Sequence, residues 1–194
     1  NPVGRDATTI NRLTGRILNG GEVLEDMPLK LMLTNPSHTR VRIIQDAVNR
    51  RFPQEAGQRD QTAKGASDSM IELHVPPSMR NNTEDFVQLV KHTTLRQANA
   101  ESVALSTQRA LLSNTNNASA AYWRWCAIGD RALPLIRELY DDPEFTPRLA
   151  ALRAGAFLRD PLVGEHLRTM GVEGALGERL EAAELMKTVP EDPR

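Results

Sequence analysis

The stretch LKLMLTNPSHTRVRIIQDAVNRRF, residues 29–52, contains the change of pattern on which the fold depends. Leucines alternate with other residues from Leu29 to Leu33, which is the period of a strand with one buried face. Asn35 then fits a helix N-cap, with Pro36 at the first helical position, where its missing N–H is no loss. Apolar residues at helical spacing predict one buried stripe on the following helix: Val41, Ile44, Val48 and Phe52.

Length and composition favour a globular protein with its own hydrophobic core. The chain has 194 residues, of which 40% are hydrophobic, and its net charge is −1. This balance lacks the surplus of Lys and Arg that phosphate binding requires, so no nucleic-acid partner is expected. No apolar stretch reaches the ~18 residues of a membrane span, so we expect no membrane insertion. Cys126, the single cysteine, is predicted to be a small buried hydrophobe.

Strand and helix patterns alternate over the first half of the chain. Residues 15–26, GRILNGGEVLED, have turn chemistry at their centre and predict a hairpin or a kinked strand. The polar stretch 54–69 predicts an exposed loop, and the alternation over residues 71–75 predicts a second strand. A second helix is predicted over residues 83–92, and residues 93–97 are a candidate last strand. The order β-α-β-α-β predicts a small two-layer α/β sandwich domain of the α+β class.

Strand signals stop after Ala98, and six helical segments follow. Breaker residues separate these segments: Asn116-Asn117, Gly129-Asp130, Pro143, Pro161 and Gly171. Asp130 and Asp160 begin successive units 30 residues apart, which suggests two turns of a helical repeat. The predicted organisation is therefore an α+β domain over residues 1–97 and an all-α domain over residues 98–194.

The common enzyme motifs do not occur in the sequence, so we expect a protein without catalytic activity. No Gly-rich phosphate loop follows either predicted strand, and no G-x-S-x-G motif is present. Neither a metal nor a cofactor is expected, because four histidines lack the spacing of a metal site: His38, His74, His92 and His166. The carboxylates of Asp141, Asp142 and Glu144 are predicted to be solvated caps at a turn.

Two groups of residues remain as candidate interaction sites. The outward side of the first helix carries a candidate assembly surface, formed by Arg42, Asn49 and Arg50. An aromatic cluster in the second half consists of Tyr122, Trp123 and Trp125. This cluster either forms a stacking platform for bases or sugars or, as we favour, packs at the junction between the two halves.

The first half resembles the central module of the bacterial flagellar basal-body P-ring protein over about residues 15–97. That family has a strand of the form L-x-L-x-L-x-N-P, a helix ending in D-A-(I/V)-N, a strand closing in V-x-(V/I)-P and a helix beginning near a phenylalanine. Residues 29–36 match the first motif and residues 46–49 the second. Leu73, Val75 and Pro76 correspond to the third motif, and Phe86 corresponds to the fourth.

The second half is similar to HEAT-type repeats. That pattern has a Pro-bearing first helix, an Asp-Pro turn, an Arg and an Ala-rich second helix. The corresponding residues are Pro134, Asp142, Pro143, Arg148, Ala151, Ala154 and Leu158. The similarity implies a short solenoid, in which each helical pair packs on its neighbours.

Together these resemblances imply a structural protein of the periplasm that assembles with copies of itself into a ring around the flagellar rod and contributes to motility. Other rod or ring proteins are the implied partners, and peptidoglycan is a further candidate. Two alternatives stay open. One is a helical-repeat module that recruits a protein partner, and the other is a glycan-acting enzyme or peptidoglycan-binding protein that uses the aromatic cluster.

Overall fold

The computed structural model describes residues 29–96 and 99–189, and over these ranges the fold is mixed α and β. The described part of the first half, residues 29–96, contains three strands and two α helices: β1 (Leu29–Met32), α1 (His38–Arg51), β2 (Ala63–Gly65), β3 (Met70–Leu73) and α2 (Thr83–His92). A 3-10 helix, Pro77–Asn82, leads into α2. The α+β class predicted from the sequence is confirmed. The hairpin predicted over residues 15–26 lies outside the described residues.

The three strands form one antiparallel sheet in the order β1-β3-β2. Leu29 of β1 and Ala63 of β2 both stand opposite Leu73 of the central strand β3. The inner face is apolar, because the buried residues Ala63, Ile71 and Leu73 share it with the half-buried residues of β1. Lys30 and Met32 alternate with them and are exposed on the other face.

Two expectations about this half were wrong. The stretch 54–69 is not wholly an exposed loop, since it contains β2 and the fully buried Thr62 and Ala63. Residues 93–96 form no strand, because Thr93 ends α2 through its N–H to Val90 O and its hydroxyl to Leu89 O. The order is therefore β-α-β-β-α. A three-residue strand is too short to show a period in sequence.

The first helix begins later than the sequence suggested. Ser37, rather than Asn35, is the N-cap, with an extended backbone at φ −170° and a hydroxyl that accepts a hydrogen bond from Arg40 N at 3.4 Å. The N–H of Ser37 donates to Asp68 O at 2.7 Å, which anchors this cap to the turn before β3. Pro36 therefore lies before the helix and not at its first position.

The predicted apolar stripe of α1 packs on the inner face of the sheet. Val41, Val48 and Phe52 are buried, and Ile44 is half-buried. A Cβ added at Gly65 would lie 2.7 Å from Val41 Cγ1, so β2 approaches α1 closely only because this residue has no side chain. The ring of Phe52 meets that of Phe86 edge-on, with centroids 5.2 Å apart, which joins α1 to α2.

The second half is helical throughout its regular elements, as predicted. Six α helices follow one another, and each overlaps one predicted segment: α3 (Ala100–Ser113), α4 (Ala118–Ile128), α5 (Leu133–Arg137), α6 (Phe145–Phe157), α7 (Val163–Glu173) and α8 (Leu176–Met186). Asp130 is exposed at the start of a 3-10 turn, whereas Asp160 is buried after α6. Asp130 and Asp160 therefore do not occupy equivalent positions of a repeat.

A buried carboxylate ties the turn after α5 to the end of α6. Asp160 accepts hydrogen bonds from Arg137 Nε at 2.9 Å, Arg137 Nη2 at 2.8 Å and the hydroxyl of Tyr140 at 2.7 Å. Burial opposes ionisation of this carboxyl, but these hydrogen bonds outweigh burial and hold the pKa of Asp160 below its usual range. The Tyr140 hydroxyl is seated against Gly155, where a Cβ would collide with it.

One hydrophobic core runs through both halves. It includes Ile71 and Phe86 from the first half and Trp125 and Leu152 from the second. Arg51, the last residue of α1, also joins the halves, since its guanidinium donates to Ala127 O at 2.9 Å and Cys126 O at 3.0 Å. These carbonyls lie in the last turn of α4, where helical C=O groups lack partners within the helix. The predicted boundary between residues 97 and 98 falls on residues outside the described ranges.

Candidate functional site

A groove of about 890 Å³ opens where the two halves meet. We call it the aromatic groove. Four elements build it, namely α2 with the end of its preceding 3-10 helix, α4, α6 and the C-terminal end of α8. Its walls are formed by these residues: Asn82, Asp85, Ala118, Ser119, Tyr122, Trp123, Thr146, Leu149, Ala150, Arg153, Ala156, Phe157, Arg159, Leu185 and Thr188.

Three half-buried aromatic rings form one wall of the groove. The rings of Tyr122 and Trp123 have centroids 4.6 Å apart with an interplanar angle of 61°. Phe157 of α6 meets both rings edge-on, with each centroid at 6.3 Å. Consecutive helical residues lie about 100° apart around the axis, so the shared wall depends on Phe157 at the end of α6, which both rings contact.

Trp125, the third member of the predicted aromatic cluster, does not line the groove. It is fully buried, and its indole N–H donates to Ala104 O of α3 at 3.3 Å. Its role is to pack α3 against α4 within the helical half. Tyr122 and Trp123 face the groove together with Asp85 of α2, so these two rings lie where the halves meet.

Two ionised side chains in the groove have no partner within the described residues. Neither Asp85 on α2 nor Arg159 after α6 makes a hydrogen bond or an ion pair there. Arg153, by contrast, is paired with Glu181 of α8 at 2.6 Å. Within residues 29–96 and 99–189, one carboxylate and one guanidinium therefore line the groove beside the aromatic wall without a hydrogen bond or an ion pair.

Arg159 has an unusual backbone conformation. Its φ is +56°, and it is the single non-glycine residue with positive φ in the described ranges. It follows the C-cap of α6, where the N–H of Asp160 reaches back to Gly155 O and that of Arg159 to Ala156 O. Glycine normally fills this position, because any Cβ is strained in the left-handed region. An arginine therefore occupies this position at the groove, although glycine would adopt the same backbone conformation with less strain.

The thiol of Cys126 behaves as the sequence predicted. It is fully buried on α4, and burial raises its pKa to about 12. Burial likewise raises the pKa of the neighbouring Tyr122 hydroxyl. Both groups are therefore neutral at physiological pH, and a reactive thiolate does not form at this site.

The candidate assembly surface on α1 separates into two kinds of residue. Arg42 and Arg50 are exposed, and Arg50 Nη2 donates to Leu95 O at 3.3 Å. Asn49 is half-buried, because its amide donates to Ala63 O at 2.9 Å and accepts from Ala63 N at 2.7 Å. The expectation that Asn49 points away from the module was wrong, since helical spacing does not reveal that β2 lies beside this part of α1.

The remaining titratable residues do not converge on a centre. No group of three or more His, Cys, Asp or Glu side chains within residues 29–96 and 99–189 has the arrangement of a metal site. His166 Nδ1 lies 2.8 Å from Asp141 Oδ1, and Asp142 accepts from Glu144 N at 2.9 Å. Burial, with Arg124 nearby, lowers the pKa of His92.

Sequence reasoning missed most of the groove. Asp85, Arg153, Phe157 and Arg159 were not singled out, because they come from two helices that are distant in sequence, α2 and α6 with its C-terminal turn, and show no motif. The one available signal was the pair of adjacent aromatic residues on α4. Of the helices in the described ranges, none has the length and apolarity needed to cross a membrane. Comparison of the chain with protein-family models, with curated proteins and with solved structures finds no match in any of the three.

Proposed function

We propose that this protein is a structural, ring-building component of the bacterial flagellar basal body, related to the P-ring protein and acting in the periplasm without catalysis. The observation that carries the proposal is the order of the P-ring-like motifs along the elements of the first half. The leucine motif begins in β1 and continues past its end, D-A-V-N lies in α1, the next motif begins at the last residue of β3, and Phe86 is buried in α2. Each motif therefore begins in a different element, in the order of the family's pattern.

Ring formation requires that one face of the module fits a different face of the next copy. The module has two distinct faces of this kind. The outward side of α1 carries the exposed, basic Arg42 and Arg50, and the outer face of the sheet carries Lys30 and Met32, of which Met32 is 66% exposed. The amide of Asn49 is hydrogen-bonded to Ala63 of β2, so the assembly surface on α1 contains fewer residues than the sequence suggested.

The test is charge reversal on α1 in the full-length protein. We expect the double variant Arg42→Glu with Arg50→Glu to lose ring formation in sedimentation velocity and motility in the source bacterium, with an unchanged circular dichroism spectrum. Arg109→Glu, an exposed arginine on α3, is the matched control and should leave both unchanged. Normal assembly and motility of the double variant would remove this face from the proposal.

Genomic context gives a second, cheaper test. We expect neighbouring genes to encode other basal-body proteins and the full-length precursor to carry a signal peptide. A cytoplasmic precursor in an unrelated operon would contradict the proposed location and function together.

A second candidate function is a HEAT-like protein-interaction module in the helical half. The observation that favours it is the exposure of three large apolar side chains on its last two helices, where Val172, Leu176 and Leu180 are 78%, 67% and 62% exposed. A photo-crosslinking amino acid at position 180 should form a covalent adduct with a partner protein in the source cells. The same group at position 109 should not, and absence of an adduct at 180 would contradict this candidate.

A further inference from the structure

We propose that the aromatic groove is a carbohydrate-binding site, and that its ligand is a chain of sugars bearing carboxylate groups. The inference goes beyond ring assembly and does not depend on it, because the groove involves neither Arg42 nor Arg50. Its volume of about 890 Å³ falls within the range of about 300–1,000 Å³ that is usual for small-molecule sites.

The aromatic wall supplies the apolar contact that a sugar ring needs. A pyranose has a face of C–H groups, while its hydroxyls extend outward around the ring. The half-buried rings of Tyr122, Trp123 and Phe157 offer a rigid apolar surface for that face at a low entropic cost. Hydroxyls at the edge of the sugar then remain free to reach the polar walls.

The polar walls supply both kinds of hydrogen-bonding partner. Asp85 is an acceptor without a donor in the described residues, and a sugar hydroxyl can donate to it. Arg159 is a donor without an acceptor there, and a sugar carboxylate can accept from its guanidinium in two parallel bonds. A ligand that carries hydroxyls and carboxylates together satisfies both residues at once.

Other anionic ligands fit the groove less well. Its charged groups nearly cancel, since Arg153 is paired with Glu181 and Asp85 opposes Arg159. A polyphosphate backbone needs several uncompensated cations, and Asp85 would repel it. A neutral oligosaccharide offers the guanidinium of Arg159 hydroxyl acceptors but no carboxylate, so the two parallel charge-assisted bonds cannot form.

The backbone of Arg159 supports a role for its side chain. Glycine would relieve the strain of φ +56°, yet an arginine occupies the position and lines the groove. A strained backbone conformation of this kind is retained where the side chain has a function that a smaller residue cannot perform. Recognition of a carboxylate is such a task.

The experiment measures binding of two tetrasaccharides to the full chain by tryptophan fluorescence and isothermal titration calorimetry. Tetragalacturonate carries carboxylates and maltotetraose does not. We expect tetragalacturonate to bind at least about tenfold more tightly, which is the effect of one good charge-assisted pair. Arg159→Gly should remove this preference while leaving the fold at least as stable, so loss of binding cannot be attributed to unfolding.

Further variants separate the aromatic contribution from the charged one. Trp123→Ala should weaken binding of both sugars, and Trp123→Phe should restore much of it because the ring is kept. Arg109→Ala, an exposed arginine on α3, should bind both sugars as the unaltered protein does. Because Arg159→Gly retains the fold, the proposal stays testable even where Trp123→Ala unfolds.

Four outcomes would overturn the proposal. Absence of binding by both sugars rejects a carbohydrate site, and equal binding of the two rejects the carboxylate. Tetragalacturonate binding that survives Arg159→Gly places the contact elsewhere. Equally tight binding of hexaglutamate would show that any polyanion suffices, which excludes recognition of a sugar.

Discussion

The α+β half and the helical half each contain a polar tether, which is half-buried in the first and buried in the second, and the two tethers differ in chemistry. In the α+β half, the amide of Asn49 accepts from Ala63 N at 2.7 Å and donates to Ala63 O at 2.9 Å. In the helical half, the carboxylate of Asp160 accepts from Arg137 and from the hydroxyl of Tyr140. The first tether joins a helix to a strand edge, and the second joins two helical segments.

The difference follows from the hydrogen-bonding groups that each tether has to pair. The edge of β2 exposes both a donor and an acceptor, so a neutral amide, which has one of each, can pair with both. In the helical half, Arg137 at the end of α5 and the hydroxyl of Tyr140 after it both donate, and a carboxylate can accept from both. An amide does not ionise, whereas a carboxylate does, so acid should weaken the second tether and leave the first unchanged.

The largest effect is expected from crowding the Asp160 tether. Gly155→Ala should destabilise the protein by about 3 kcal/mol, because the new Cβ would collide with the Tyr140 hydroxyl and lie 2.8 Å from its Cζ. Urea unfolding at pH 7 measures this. Gly177→Ala in α8, where a Cβ meets nothing within 4 Å, is the matched control and should not destabilise. Equal stability of the two variants would contradict the packing described for Tyr140.

The Asn49 tether should be the next most costly to remove. Asn49→Ala leaves the buried N–H and C=O of Ala63 without their partner, which should cost about 2 kcal/mol in thermal or urea unfolding. Gln45→Ala is the control, because Gln45 accepts one hydrogen bond, from the exposed Gly65 N, and water can replace it. It should cost about 0.5 kcal/mol. If both variants lose the same stability, the edge of β2 does not depend on Asn49.

A pH comparison of the two tethers should show a smaller effect with a definite sign. The folded pKa of Asp160 is lowered, so its contribution is fully present above the unfolded pKa of about 3.9 and is lost as pH falls through the folded value. Asp160→Asn should therefore cost about 1.5 kcal/mol at pH 7 and less near pH 3.

Urea unfolding of the same variants at both pH values provides the check on this comparison. The cost of Asn49→Ala should be the same at pH 7 and pH 3, since no ionisable group is removed. A cost of Asp160→Asn that does not decline in acid would show that this carboxylate gains no stability from ionisation in the folded protein.

The smallest effect is expected next to the Asp160 tether, at Arg159. Arg159→Gly should stabilise the protein by about 0.5 kcal/mol, because relief of the positive φ slightly exceeds the entropy that glycine loses on folding. Differential scanning calorimetry measures the shift, and the pH dependence of stability should be unchanged. Gly129→Ala, at φ +82°, is the opposite control and should destabilise by about 1 kcal/mol. A less stable Arg159→Gly variant would mean that the side chain makes a contact that outweighs its strain.

The elements with a strong local period could be predicted from sequence. The alternation of leucines marks β1, and the stripe of Val41 and Val48 marks α1 with its buried face. The helices after residue 99 also show in sequence, since breakers bound each of them. Local periodicity is sufficient in these cases because the pattern and the buried face belong to the same short segment.

Other features depended on contacts between distant residues. The strand β2 has three residues and no readable period, and α1 side chains from 14 and 20 residues away complete its edge. The N-cap moved from Asn35 to Ser37, because Ser37 also bonds the turn before β3. The order of strands and the inward role of Asn49 could not be inferred without knowing that these segments meet.

For the candidate site, the sequence by itself determined that Tyr122 and Trp123 would lie in the same turn of one helix. It also determined the class of the fold, since alternation and helical spacing are properties of single segments. Only the tertiary structure decided that Asp85, Phe157 and Arg159 join those rings in one groove and that Trp125 does not. The physical reason is that a groove is a property of how helices pack, and packing brings together residues that no local pattern connects.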